Sequence, residues 1–515
     1  DDPDAAVGYL AQTGEWDSII DLADAWGRVL FERGDPNTLC RWLDGIPRGA
    51  VLTRHDRRLL ALRRIVVYSM LGRSRLAQQA MHDLGALSPA ERVICDTLRA
   101  SWMFSDAQPD AAATAAEDAL AALEALPPSN LPDLFGMTSA NSLRIVAAGS
   151  RGRSLWALGD LDGARAEFRS ILSDRDGYAA WQTHALSSLA ILEAWAGNLS
   201  EAQRWAHAAH RRARQGRLHR HPATIDAYLA SAHVMRERGH VDRAKLFLDE
   251  AHLILVRFRR PIALAVHATE LALVCLSAGK IEQGIEVITS IRASGEPPLP
   301  PMIDARLTAA EIALLVAHHD AERAQSLLPH HPGSRPDPIA AVAVRAALAR
   351  RDIEAARAEL DAWQPTSHDP RPRAERELLA AIVELESGSR RQALRRARDV
   401  VEATQADGSV ALFADIGDPA ERLLRALVAS EKNPDALRIL RYLSVERHAT
   451  SRLGLSDREL DVVRYLPGPL SNAEIAAQLF ISLNTLKTHL RTIYRKLGVS
   501  GRRDAIHRAE ELGLA

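Results

Sequence analysis

Cysteine is scarce. The chain of 515 residues has three, Cys40, Cys95 and Cys275, too few and too dispersed for a disulfide framework or a thiolate metal site. Each reads as a small buried apolar residue, which fits the reducing cytoplasm. No run of about 18 apolar residues is long enough to span a membrane, and no signal peptide is visible. Almost no stretch alternates with the two-residue period of a strand, so a sheet is not expected. Net charge is nearly absent: 65 Lys and Arg face 66 Asp and Glu, and no global basic field advertises nucleic acid. Catalytic signatures are missing as well. G-x-x-x-x-G-K-[ST], G-x-S-x-G and H-E-x-x-H do not occur, nor do paired carboxylates in an identifiable site. No enzyme and no cofactor are expected from these residues.

Alanine, leucine, arginine and glutamate dominate instead, and they favour helix throughout. Four phrases share one beat: "WALGDLDGARAEF" (156–168), "WAGNLSEAQRWA" (195–206), "RERGHVDRAKLFL" (236–248) and "LSAGKIEQGIEVI" (276–288). In each, a glycine is followed five residues later by a small residue: Gly159/Ala164, Gly197/Ala202, Gly239/Ala244 and Gly279/Gly284. Gly72/Ala77 and Gly388/Ala393 keep the step, and Arg351/Ala356 keeps it without a glycine. A glycine of this kind ends one helix in a left-handed turn. The small residue then lets the next helix approach closely. The expected architecture is a stack of helical hairpins repeating about every 40 residues, with an irregular helical bundle as the alternative.

Proline-rich breaks at 126–133, 295–301, 330–338 and 367–373 read as loops between repeats. His318/His319, His330/His331 and "HRH" at 219–221 invite a metal reading, but no cysteine or carboxylate set stands at a ligand spacing. Surface histidines are the expectation. Trp156, Trp181, Trp195 and Trp205 are expected to fill hairpin cores, or to line a ligand groove.

Charge is not evenly spread. Residues 452–515 hold ten Lys and Arg against seven acids, and from Lys487 to Arg503 six basic side chains meet no acid. Helix starts are marked there too. Ser456 with Glu459 and Ser471 with Glu474 form capping boxes, while Ser482 and Ser500 can cap two more helices. The expected spans are 457–466, 472–479, 483–497 and 501–512. In the third, Leu486, Leu490, Ile493 and Leu497 make one apolar stripe. Asn484, Lys487, Thr488 and Arg491 fall on the opposite side, residue types suited to base edges and phosphates. The short turn "FIS" and the small Ala476 and Ala477 suit a steep crossing of the second and third helices. The pattern is a helix-turn-helix with 483–497 as recognition helix.

"LSDRELDVVRYL", "LSNAEIAAQLFIS", "NTLKTHLRTIYRKLGV" and "RRDAIHRAEELGL" closely resemble the LuxR-type DNA-binding domain. The resemblance implies that Lys487, Thr488 and Arg491 face bases, with Asn484, Thr485, Arg495 and Lys496 near the DNA backbone. Pro469 stands where that family usually has Gly. The hairpin stack resembles the tetratricopeptide-like superhelix of large activators related to the maltose-regulon activator. In that class a signal-transduction ATPase precedes the repeats. The opening "DDPDAAVGYL" lacks an initiator Met and lies within a helical pattern, so such an ATP-binding domain is expected upstream if it exists.

The expected fold is all-α: a tetratricopeptide-like hairpin superhelix over residues 1–430, a connecting helix and linker at 431–451, and a four-helix LuxR-type domain at 452–515. The expected partners are double-stranded promoter DNA, RNA polymerase, and a small-molecule or protein inducer in the superhelix. Self-association on DNA is expected, through the face Ala505, Ile506, Ala509 and Leu512 unless that face packs within its own domain. The competing reading is a scaffold for a partner protein or inducer, with DNA binding secondary.

Overall fold

The computed structural model describes the chain except residue 1 and residues 128–129, 173–177, 219, 259, 296–297, 330–334, 366–368, 452–458, 460–461, 464, 469, 479–482 and 512–515. Side chains at 444–451, 477–478, 484 and 510–511 also lie outside the description. The described residues contain α-helices, short 3-10 turns and no strand. None of these helices is long and apolar enough to cross a membrane.

Helices pair because each first helix is stopped by a left-handed residue. Gly159, Gly197, Gly239 and Gly279 have φ of 100°, 92°, 81° and 71°. In each case the next N–H returns to a carbonyl five residues back, from Asp160 to Leu155 at 2.9 Å and from Asn198 to Glu193 at 2.9 Å, for example. That is the Schellman arrangement, which satisfies carbonyls the helix leaves open. The chain then reverses into a second helix. Ala140–Leu158 pairs with Leu161–Leu172, Ala179–Ala196 with Leu199–Gln215, Ile225–Glu237 with Val241–Arg257, and Pro261–Ser277 with Ile281–Arg292. The small residues five positions on are buried where the pair touches: Ala164, Ala202 and Ala244 are all 0% exposed.

The beat also runs where no glycine marks it. Arg351 adopts φ 58°, as expected from its position in the pattern, and Ala356 is buried. Ala107 (φ 61°) before buried Ala112, and His319 (φ 62°) before buried Ala324, do the same. Proline serves as a starter: Pro301 and Pro370 sit in the first turn of Pro301–Ala317 and Pro370–Glu386, where no N–H is needed.

The two helices of a pair have different surroundings. In Ala179–Ala196 every residue from Ser187 to Ala196 is buried, so this helix is covered on all sides. Leu199–Gln215 buries only Leu199, Ala202, Ala206, Ala209 and Ala213, one stripe at helical spacing. First helices therefore stack on one another as an inner layer, and second helices cover them from outside. Cys40, Cys95 and Cys275 are free thiols buried in this packing. Trp156 and Trp195 are buried side by side, their rings 4.9 Å apart.

The stack curves until distant repeats meet. Val410 N–H donates to the Glu237 carbonyl at 2.7 Å, Ser200 N–H to Asp407 Oδ1 at 2.9 Å, and Arg165 Nη2 to Asp369 Oδ1 at 3.1 Å. At this seam Arg236 pairs with Glu237 and Asp415 (2.6 and 3.0 Å), and Arg371 reaches Glu237 at 2.5 Å. Burial opposes charge on Glu237, but Arg371 and Arg236 overcome it and hold its carboxyl down to about 2.

The apolar core continues past residue 430. Ala436, Ile439, Leu440 and Leu443 of Pro434–Ser451 are buried among Leu423, Leu424 and Leu427. The OH of Tyr442 donates to the Gly239 carbonyl across the seam at 3.4 Å.

Candidate nucleic-acid interface

Three described helices build the C-terminal domain with parts of a fourth. Glu459, Val462, Val463 and Tyr465 are helical, within the expected span 457–466; the Ser456 cap lies outside the described residues. The second helix is Asn472–Gln478. Its capping box is formed: Ser471 N–H donates to Glu474 Oε2 at 2.7 Å, and Glu474 N–H to Ser471 Oγ at 3.3 Å. These bonds favour the ionised Glu474, so its carboxyl sits below the ordinary value. The recognition helix is Leu483–Leu497. Its cap Ser482, the turn at 480–482, Pro469 and the Asn484 side chain lie outside the described residues.

The two faces of the recognition helix divide as expected. Leu486 and Ile493 are 0% exposed, and Leu490 and Leu497 are buried with Val462, Val463, Leu466, Ile475 and Ala476. Thr485, Lys487, Thr488, Arg491 and Arg495 are exposed. Lys487, Arg491, Arg495 and Arg503 have no acidic partner among the described residues. A stripe of cations held away from carboxylates by a rigid helix is a surface for phosphate.

Two of the six basic residues have partners within the domain. Lys496 Nζ donates to Glu459 Oε2 at 2.6 Å; the Lys496 side chain is 27% exposed and Glu459 only 6%. Lys496, expected near the DNA backbone, also ties the recognition helix to the first through this pairing with a buried carboxylate. Arg502 donates to the Leu466 carbonyl through Nε (3.1 Å) and Nη2 (2.9 Å), and to the Gly468 carbonyl at 3.1 Å. It closes the end of the first helical region. Neither role is visible in the local sequence, because each partner lies more than 30 positions away.

The fourth helix runs Arg502–Glu511. Ser500 Oγ donates to the Asp504 side chain at 3.2 Å. Ala505 and Ala509 are 0% exposed in the domain's own core and Ile506 packs against it. The pairing face expected here is thus consumed within one copy, and Leu512 lies outside the described residues.

The histidines divide as well. His318 is exposed near Glu282, and no group of metal-ligating side chains occurs among the described residues. His221 is buried rather than at the surface, 8% exposed. His219, His330 and His331 lie outside the described residues.

Residues 453–509 match the family model described as "Bacterial regulatory proteins, luxR family". Among solved structures the chain is similar to "Crystal Structure of Rap Protein Complexed with Competence and Sporulation Factor". The identity is 11%, over 76% of this chain and 98% of that one, with a TM-score of 0.42. It is also similar to "Crystal structure of APC/C hetero-tetramer Cut9-Hcn1", with 12% identity over 85% and 93% and a TM-score of 0.34. The family match falls on the segment whose capped helices, buried stripe and unopposed cations form the helix-turn-helix. The chain thus carries, after an array of helical hairpins, a helix-turn-helix domain of the luxR type at 453–509, which supports a DNA-binding regulator.

Proposed function

We propose that this chain is a transcriptional activator in which the array, residues 1–430, controls a promoter-binding domain, residues 452–515, through the segment 431–451. The observation that carries the reading is the division of Leu483–Leu497 into a buried leucine stripe and an exposed cationic stripe. Lys487, Thr488 and Arg491 are assigned to base edges in the major groove of double-stranded DNA. Asn484, Thr485, Arg495 and Lys496 are assigned to the backbone, with Arg503 as a further phosphate contact; Lys496 also positions the helix through Glu459.

One such domain reads a short half-site, so occupancy gains from two copies on one promoter, where RNA polymerase is then engaged. The array supplies the control: an inducer that prefers one conformation shifts the population toward it. Its cavities of about 470 and 400 Å³ favour a small molecule over a protein as inducer. The setting is the cytoplasm.

The test selects a preferred duplex from a random pool and compares variants on it. Arg491→Ala is expected to lose about 1–3 kcal/mol on the preferred duplex and much less on a scrambled one. Arg495→Ala is expected to weaken both alike. Equal losses on both duplexes for Arg491→Ala would remove it from the base-facing set.

A further inference from the structure

The larger cavity, about 470 Å³, lies within the array, where the repeat around Ala140–Leu158 meets the ends of its neighbours. Its described lining holds four guanidinium groups, on Arg73, Arg153, Arg257 and Arg260, and a single carboxylate, Asp106. The imbalance is strongest where burial is deepest. Arg153 is 7% exposed and has no carboxylate partner. Its Nε donates to the Gly149 carbonyl at 3.2 Å and Nη2 to Ser150 Oγ at 3.4 Å, while Nη1 lies 3.3 Å from His184 Nε2. The Arg260 side chain faces the same space with no hydrogen-bond partner among the described residues.

The acid that acts on Arg153 and Arg260 is Asp226, which accepts from Ser188 Oγ at 3.2 Å. Burial, and then the repulsion of Arg260, push the Arg153 guanidinium down to about 10. Arg260 is lowered too, by burial. The imidazoles do not add charge. Burial holds His221 down to about 3 and His184 well below its ordinary value. Because His221 Nδ1 accepts from Ala223 N–H at 3.2 Å, its proton sits on Nε2 as a further donor.

A buried Arg153 without a carboxylate partner, beside the partly buried Arg260, costs folding energy unless an anion occupies the site. The excess of guanidinium groups over carboxylates in this lining suits an anionic head group, and guanidinium groups match a carboxylate in geometry as well. The wall also carries apolar side chains, Phe31, Leu98, Phe168, Ile171, Trp181 and Phe258, beside the hydroxyls of Ser69, Ser101 and Ser105. A volume near 470 Å³ falls in the range of small-molecule sites.

We propose that this cavity binds an amphipathic carboxylate, its head group between Arg153 and Arg260 and its apolar body against Phe168 and Trp181. As an effector site this rests on the array acting as the sensor of the proposed regulator; as a binding site it does not. The four residues come from Ala140–Leu158, Leu161–Leu172, Ala179–Ala196 and the start of Pro261–Ser277. A bound ligand would therefore bridge two consecutive hairpins and the N-cap of a later one, a route by which occupancy stiffens the array.

The test is calorimetric titration of the full chain with octanoate, its neutral isostere octanamide, and inorganic phosphate. Octanoate is expected to bind one-to-one, at least tenfold tighter than octanamide, with phosphate failing to compete. Arg260→Met, whose thermal melt shows that it stays folded, is expected to abolish that tenfold preference; Arg153→Met should do the same. Equal affinity for octanoate and octanamide would overturn the head-group assignment. Binding of phosphate alone would overturn the amphipathic one. Duplex binding by the same protein is measured separately: its failure sinks the regulator and leaves the cavity result standing, and failure of octanoate to bind does the reverse.

Discussion

Replacing Arg371 with Met tests how the seam of the array is held. Arg371 is the cation from the far side that reaches Glu237 at 2.5 Å, with Glu375 at 3.5 Å and Asp415 at 4.0 Å. Glu237 is 2% exposed, so losing this partner leaves a buried carboxylate short of compensation. Breaking a buried pair costs about 3–5 kcal/mol. Glu237 keeps Arg236 at 2.6 Å and accepts from Ser409 Oγ at 2.7 Å, so the lower end, about 3 kcal/mol, is expected. The readout is exchange protection of the Val410 amide, whose N–H donates across the seam to the Glu237 carbonyl. Its protection should fall by about two orders of magnitude. Protection within Leu199–Gln215 should change far less.

Acid should act on the same contact. The folded Glu237 carboxyl lies at about 2 against an ordinary 4.5, so its contribution is present above 4.5 and is lost as pH falls through the interval toward 2. Adding Glu237→Gln to Arg371→Met should restore much of the protection, because the uncompensated charge is then gone. If Arg371→Met left Val410 as protected as before, the ion pairs would not be what closes the seam.

Other outcomes follow from particular contacts. Lys496→Ala is expected to destabilise the C-terminal domain by about 1–3 kcal/mol by removing a charge-assisted bond to the buried Glu459; denaturation followed by Tyr494 fluorescence reads this, and an unchanged midpoint would remove the tie between the two helices. Gly239→Ala combines a left-handed backbone (φ 81°) with a Cβ inside the Tyr442 ring, so it should cost more than the 1–2 kcal/mol of αL strain alone. A thermal melt checks it, and a neutral result would mean that Pro434–Ser451 is not docked there. Trp195→Ala is expected to cost about 3–5 kcal/mol, because the ring is buried, donates to Glu270 at 2.8 Å and carries Arg306 stacked at 4.1 Å. Chemical denaturation of the full chain measures it, and a loss under about 1 kcal/mol would contradict its place in the core.

Much of the array was legible because a period of one Gly and one small residue encodes both the turn and the close approach after it. Arg351 kept its place in the pattern and takes the left-handed turn without glycine. Ala107 and His319 escaped notice because neither residue type advertises a positive φ. The seam was not legible at all. Glu237 and Arg371 are 134 positions apart, and only the summed curvature of intervening hairpins brings them together. In the helix-turn-helix the apolar stripe was readable, since period alone sorts Leu486, Leu490, Ile493 and Leu497. The use of each cation was not, because Lys487 and Lys496 look alike until Glu459 is placed. The same holds for Ala505 and Ala509: an apolar face on a short helix reads equally as core or interface.

The most direct test of the central claim is the salt dependence of duplex binding by the full chain. With Lys487, Arg491, Arg495 and Arg503 on phosphates and bases, the logarithmic slope per bound copy is expected to be about −3 to −4. Arg495→Ala, on the DNA backbone, should make it shallower by about one, whereas Lys487→Ala and Arg491→Ala act mainly on sequence preference. A slope near zero, or one unmoved by Arg495→Ala, would contradict the assignment of Leu483–Leu497 as the surface that meets DNA.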